Sequence, residues 1–451
     1  MPRDPSTVVD RGAACLLGGA LGDALGAPVE FLSVEDIVRQ HGPAGVIAPP
    51  RPALLTDDTQ LTLFTADGYL RAWVRGRTEG VWEPVETVWR SYRRWLVTQQ
   101  YDGPEPGSRG LLAYDRLYAS RSPGLTCLRA LARDHAPSRD NPVNDSAGCG
   151  GVMRTAPAGF APSPAIAYEL GCEFAALTHG NPSGWAPGGA LALLVHLLAV
   201  RGRPLAEAVD QVIGRVLRDD PPTAYALIKA VELAEGQRGA VSPPVRADRV
   251  GAGWTGPEAL AVAVYSVLVF RRAGEFCEAL RMAANHSGDS DATAAIAGNI
   301  HGALHGTAAL PRDWLSRLEL ADLLDRMGRD LACSTLQLEF EEWRYTLSLI
   351  HTAPGEQRRA APGGRRRSTA GAVTGVAPRT CPVRSRTRTR QVVRTVGQQR
   401  FGPDPERRLP SAPEQRQAGS TPVPNRFPAD HPGRRSRPIF QVTDATTPPP
   451  T

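Results

Sequence analysis

Apolar positions recur at three- and four-residue steps through most of the chain, as in Leu61, Phe64, Tyr69, Leu70 and Trp73, and strict alternation is rare. Such steps gather side chains on one face of a helix, whereas alternation would mark strands. The pattern predicts an all-α fold with helices over about 8–22, 57–76, 83–98, 108–119, 164–177, 184–201, 204–218, 222–236, 257–272, 275–285, 293–306 and 319–332, separated by Pro- and Gly-rich breaks. Past His351 the pattern stops, and APGEQRRAAPGGRRRSTAGAV and RTCPVRSRTRTRQVVRTVGQQR carry no sustained apolar face. With so little apolar surface to offset ordering entropy, residues 352–451 are expected to form a disordered tail behind one compact domain over 8–350.

Charge sharpens that division. The net charge of +6 hides a tail with 19 arginines against 6 acids and a body, residues 1–351, with 33 basic against 40 acidic residues. A nucleic-acid partner is therefore compatible with the basic tail alone. The seven cysteines are scattered, with no C-x-x-C spacing, which suits reduced thiols in a cytoplasmic protein and not a thiolate zinc site. Asp4 and Asp10 precede the N-terminal apolar stretch and Asp23 interrupts it, unlike a signal peptide. Apolar runs such as 190–200 and 259–270 fall short of the roughly 20 residues of a membrane span. A monomer with no membrane partner is expected.

Two acidic strings stand out. Thr56-Asp57-Asp58-Thr59-Gln60 immediately precedes the helical pattern LTLFTADGYLRAW. Thr56 is placed to cap that helix, and one acid in the first turn is explained by the helix dipole and free N–H groups. Two adjacent carboxylates crowd like charge, for which a hard divalent cation is the usual compensation. Ser287-Gly288-Asp289-Ser290-Asp291-Ala292-Thr293 repeats the logic before AAIAGNIHGALHG. Residues two apart on a helix diverge, so Asp289 and Asp291 converge on one ion only from the loop entering the helix. Together the strings offer enough oxygen donors for two Mg²⁺ or Mn²⁺ ions. Gly18, Gly22 and Gly26, and Ala294, Gly298, Gly302 and Gly306, lie at four-residue steps. These smooth stripes suggest that two helices pack closely and bring Asp23 and Glu30 beside the acidic loops.

The strings GGALGDALGAPVEF, TDDTQLTLFTADGYL, GCGGVMRTAPAGF, THGNPSGWAPGGALALLVHLL and HSGDSDATAAIAGNIHGALHG occur in this order over about 290 residues. In that order they resemble the ADP-ribosylglycohydrolase family, over roughly residues 8–345 and not in the tail. The resemblance implies an all-α orthogonal fold around a binuclear magnesium or manganese centre that holds the distal ribose. It implies hydrolysis of the N- or O-glycosidic bond between ADP-ribose and an acceptor on a protein or small molecule, with ADP-ribosyl-arginine the first choice. By position, Thr56, Asp57 and Asp58 match the first ligand cluster and Asp289 and Asp291 the second, while Glu30 matches a glutamate beside the metals. Glu30, Asp58 and Asp291 are the candidate catalytic carboxylates; Asp23 reads as structural.

Gly148, Gly150 and Gly151 fall in the family's glycine-rich substrate loop, where backbone N–H groups approach phosphate closely. Arg154 is open to a phosphate or to a carboxylate of the body, His179 lies in a substrate-proximal turn, and Trp185 is open to adenine stacking or core packing. The chain departs from the family at Ala292, where a Ser or Thr normally adds a ligand oxygen; water or Thr293 could replace it. A second reading is therefore an ADP-ribose-binding module with impaired catalysis. A third is another binuclear-metal hydrolase acting on a nucleotide or phosphoester.

Overall fold

Proline and short polar side chains decide where the helices begin. In the computed structural model, which describes residues 4–237 and 246–346, six helices carry proline in their first two positions, where its missing N–H costs nothing. They are α1 (Pro5–Gly26), α4 (Pro84–Gln100), α6 (Pro164–Ala176), α7 (Pro182–Val195), α9 (Pro221–Gly236) and α10 (Gly256–Val269). Between and after them run α2 (Val34–His41), α3 (Asp57–Thr78), α5 (Leu125–Leu131), α8 (Leu205–Val216), α11 (Phe276–Ala284), α12 (Ser290–His305), α13 (Arg312–Leu315) and α14 (Ala321–Leu336). Ser33, Thr56, Ser163, Asn181, Asp220, Thr255 and Asp289 accept backbone N–H bonds at helix starts.

Among the described residues no strand forms, only the isolated bridges Ala53–Leu318 and Gly148–Thr255, so the chain is all-α. The expected helix over 108–119 is instead two 3₁₀ turns, Gly110–Ala113 and Asp115–Tyr118. Gly103, Pro104, Pro106, Gly107 and Gly110 crowd its approach and Gly110 takes a positive φ, which an α-helix does not permit. Helices α2 and α5 went unforeseen because each is short. The expected tail, 352–451, lies outside the described residues.

The centre of the fold is α1, buried on every side from Gly12 to Gly26 and pressed against α12 and α14. A Cβ at Gly18, Gly22 or Gly26 would overlap the carbonyl oxygen of Gly298, Ala294 or Ser290, and one at Gly302 would overlap that of Ala14. The two small-residue stripes are thus the α1–α12 interface, and close backbone approach fixes α12 in register with α1. Gly12 and Gly328 do the same between α1 and α14. This register carries the start of α12, with Asp289 and Asp291, to the C-terminal end of α1, where Glu30 follows.

Length needs a correction. The segments Pro5–Val29 and Pro182–Val200 are each long and apolar enough to cross a bilayer. Yet 89% and 83% of their apolar windows are buried inside the protein, so both serve here as core helices.

Candidate active site

The acidic cluster is assembled from two helix N-termini and the turn after α1. Asp23, fully buried in α1, accepts hydrogen bonds from the backbone N–H of Thr56 (3.0 Å), the Thr56 hydroxyl (2.8 Å) and the Thr59 N–H (3.2 Å). It anchors the start of α3. The Thr56 hydroxyl donates to Asp23 and accepts from the Asp58 N–H at 3.3 Å, so one lone pair of its oxygen remains for another partner. Asp57 accepts the Gly124 N–H at 3.2 Å, while Asp58 Oδ2 is buried without any hydrogen-bond partner.

On the opposite side, Asp289 caps α12 through the Ala292 N–H and accepts the Cys149 thiol at 2.7 Å, and Asp291 accepts the Ala292 N–H at 2.9 Å. One oxygen each from Glu30, Asp289 and Asp291 lie within 4.8 Å of one another. Asp57 and Asp58 stand outside that closest group but act on it: after burial, the strongest influence raising Asp291 is the Asp58 charge. The four aspartates are at most 6% exposed, whereas Glu30 is half-buried.

Burial and mutual repulsion push these carboxyls upward. Burial, then Asp57, Asp23 and Asp289, raise Asp58 well above the carboxylate range. Burial, chiefly, with the charges of Asp289 and Asp57, carries Glu30 to about 8. Burial also takes Asp57 to about 8, against the Gly124 hydrogen bond that lowers it. The leading charges on Asp58 and Asp291 are all other carboxylates, an arrangement that is costly unless protons or cations enter. An all-oxygen donor set with an unpartnered buried oxygen at Asp58 fits hard divalent cations.

The glycine-rich loop closes one side. Gly148 pairs with Thr255, and the Cys149 N–H donates to the Trp254 carbonyl at 3.2 Å. His179 lies beneath: a Cβ at Gly150 would sit 3.0 Å from its ring, and one at Gly151 would overlap the Gly184 carbonyl. Small residues are thus required by packing below the loop. His179 is 2% exposed, shares a 2.8 Å hydrogen bond with the Thr178 hydroxyl, and is driven down to about 3 by burial and Arg154, so it stays neutral.

Two sequence expectations change, and for Trp185 the structure takes one of the two options left open. Arg154 reaches neither a phosphate-facing surface nor a carboxylate: its buried guanidinium contacts the Tyr92 hydroxyl, the Cys127 sulfur, the carbonyls of Gly150 and Phe174, and the Thr178 hydroxyl. Its role is to hold the glycine loop from below. Thr293 does not replace the oxygen missing at Ala292, because its hydroxyl faces the helix, bonded to the Ala283 and Asp289 carbonyls and to His286. Trp185 is packed against the core, with the Arg139 guanidinium 5.3 Å from its ring centre. Missed by sequence reading were Cys149 and Gly124, which touch Asp289 and Asp57. Their local strings carry no charge pattern that would have marked them.

A helical protein whose glycine-rich loop borders four buried aspartates and a half-buried glutamate carries the acidic side chains that a hydrolytic site uses. Comparison narrows the class. The ADP-ribosylglycohydrolase family model matches residues 4–342, and the chain belongs to that family. It is similar to the ADP-ribosyl-[dinitrogen reductase] glycohydrolase of Rhodospirillum rubrum, 27% identical over 70% of this chain and 92% of that protein. It is also similar to the ADP-ribosylarginine hydrolase Tri1 of Pseudomonas putida, 26% identical over 72% of this chain and 79% of that protein. Among solved structures, an ADP-ribosylglycohydrolase-related protein complex matches with a TM-score of 0.51 and 26% identity, covering 73% of this chain and 99% of that one. The protein is an enzyme of ADP-ribosyl glycosidic-bond hydrolysis.

Proposed function

We propose that the protein is a binuclear Mg²⁺- or Mn²⁺-dependent hydrolase that releases ADP-ribose from arginine side chains of modified proteins. The observation that carries the reading is the convergence of Glu30, Asp289 and Asp291 within 4.8 Å beside the buried Asp57 and Asp58. Asp57, Asp58 and Thr56 would hold one cation, and Asp289 and Asp291 the other. Bound cations would supply the positive charge that orients the ribose hydroxyls and favours ionisation of a water. Glu30, the least buried of the five carboxylates, is the one a water from solvent reaches first; it would take that water's proton as its oxygen attacks the anomeric carbon, while the C–N bond breaks and the departing arginine guanidine keeps the bond electrons and takes a proton from solvent. The loop from Gly148 to Gly151, joined to the cluster through the Cys149 thiol on Asp289, is where the diphosphate would be received. Support for the arginine linkage comes from the likeness to Tri1. The cytoplasm, where thiols stay reduced, is the compartment that belongs to this reading.

Mass spectrometry of peptides carrying ADP-ribose on arginine or on serine, after incubation with protein and Mg²⁺ or Mn²⁺, tests metal dependence and linkage together. Release from arginine only with a divalent ion is expected; release in chelator, or from serine alone, defeats the finer reading. Ala292 favours one competitor, a module that binds ADP-ribose without cleaving it, since no side-chain oxygen replaces the missing hydroxyl. Saturable ADP-ribose binding with no product would select it.

A further inference from the structure

Helix α12 begins at the acidic cluster and ends in two histidines one turn apart, His301 and His305. Residues four apart share one helix face, and the two ring centres stand 4.6 Å apart with their planes tilted by 48°. His301 is fully buried, and neither of its ring nitrogens has a hydrogen-bond partner. Among the described residues it is the one histidine with both nitrogens stranded in this way. Leaving buried polar atoms unpaired is costly, and folds that keep them commonly satisfy them with a water or an ion. His305 is half-buried, and its Nε2 lies 2.9 Å from the Arg271 carbonyl oxygen, which can only accept. In the neutral ring the proton therefore sits on Nε2 and the lone pair on Nδ1. A histidine that ligates a metal almost always donates its other ring N–H to a carbonyl or carboxylate in this way.

We infer that His301 and His305 form a binding site for one borderline transition-metal cation, Zn²⁺ or Cu²⁺, separate from the acidic cluster. Imidazole suits such ions, whereas Mg²⁺ and Mn²⁺ prefer oxygen donors. Two imidazoles held at about 2.1 Å from one ion, at ligand–metal–ligand angles of about 90–109°, have ring centres roughly 4.5–5 Å apart. The spacing of these two rings already meets that demand. The last turn of α12 adds the negative end of the helix dipole, which favours a cation. Solvent reaches the half-buried His305, so water completes the coordination. His301 lies ten positions past Asp291, about 15 Å along the helix, too far to share an ion with it. A cation here ties the end of α12 to the turn after α10 through the Arg271 carbonyl, at the opposite end from Asp289 and Asp291.

Zinc calorimetry on the full chain carrying Asp57→Asn and Asp289→Asn, which disables the acidic cluster, tests the site independently of the hydrolase reading. One bound Zn²⁺ is expected, and adding His305→Gln should weaken it about tenfold or more, at least what loss of a supporting partner costs. His301→Leu replaces the stranded imidazole with an apolar side chain. It should keep or raise the melting temperature in chelator and lose the rise that Zn²⁺ otherwise gives. In the Cu²⁺-loaded chain, electron paramagnetic resonance should show nitrogen couplings that weaken when either histidine is replaced. No Zn²⁺ bound once the acidic cluster is disabled, or binding that neither histidine replacement changes, overturns the site. A lower melting temperature for His301→Leu in chelator, with zinc affinity intact, would make His301 a packing residue and overturn it equally.

Discussion

Helix α3 buries acids at two places, and they are opposites. Asp57 and Asp58 at its start are surrounded by further carboxylates, and burial and repulsion raise both. Asp67, three turns on and only 2% exposed, accepts Arg71 Nε at 2.9 Å and the Ser91 hydroxyl at 3.1 Å and also pairs with Arg94. Burial alone would raise Asp67, but Arg71 and Arg94 outweigh it and hold the carboxyl below the ordinary carboxylate range. Burial is the same in both regions; what differs is the countercharge. Asp67 has its partners built into the fold, so it ties α3 to α4, while the acids at the helix start are surrounded by other carboxylates, the arrangement on which the proposed cation site rests.

The comparison breaks most sharply on activity. Asp57→Ala combined with Asp289→Ala should lower ADP-ribose release by on the order of 10³-fold or more, while Asp67→Asn should leave turnover per folded molecule within about threefold. Stability should respond in reverse order. Asp67→Asn removes the anionic partner of the buried Arg71 and the partly buried Arg94 and is expected to cost about 3–5 kcal/mol in urea unfolding; an unchanged midpoint would mean the pair is not structural. Adding Mg²⁺ at a hundred times its dissociation constant should stabilise the parent by about 2.7 kcal/mol, and Asp58→Asn should lose most of that gain.

The smallest effect is on pH dependence in chelator. Asp57, raised to about 8 in the folded chain, binds its proton more tightly there than when unfolded. Its contribution is therefore full below about 4 and is lost as pH rises through about 8. Asp67, being lowered, works the other way, and its contribution is lost only in strong acid. Burial lowers His196, His286 and His301 to about 4, so these groups also oppose the trend, withdrawing stability as pH falls below about 6.5. Melting temperature in chelator should decline between pH 6.5 and 8.5, and Mg²⁺ should flatten that decline. A flat curve without metal would show that the acidic cluster is not strained.

Much of this was legible in advance wherever the signal was local or periodic. Helical repeats, the Thr56 cap, the acidic strings and the small-residue steps at Gly18, Gly22, Gly26, Gly298 and Gly302 all depend on neighbours within a turn or two of chain. The 108–119 segment failed because a sparse apolar pattern outvoted the glycines and prolines around it. Arg154 and Thr293 failed for another reason: their residue types suited an exposed site, and only their packing turned them inward.

Chain chemistry by itself determined an all-helical body, the family, and which acids have no local reason to be adjacent. Only the tertiary structure decided that Asp67 would meet Arg94 while Asp58 Oδ2 met no partner, that Cys149 would reach Asp289, and that the Gly124 N–H would reach Asp57. Periodicity and capping are energies of short stretches and can be read along the chain. Countercharge is a matter of what arrives through space from residues tens to hundreds of positions away, and close glycine packing between α1 and α12 sets which of them arrive.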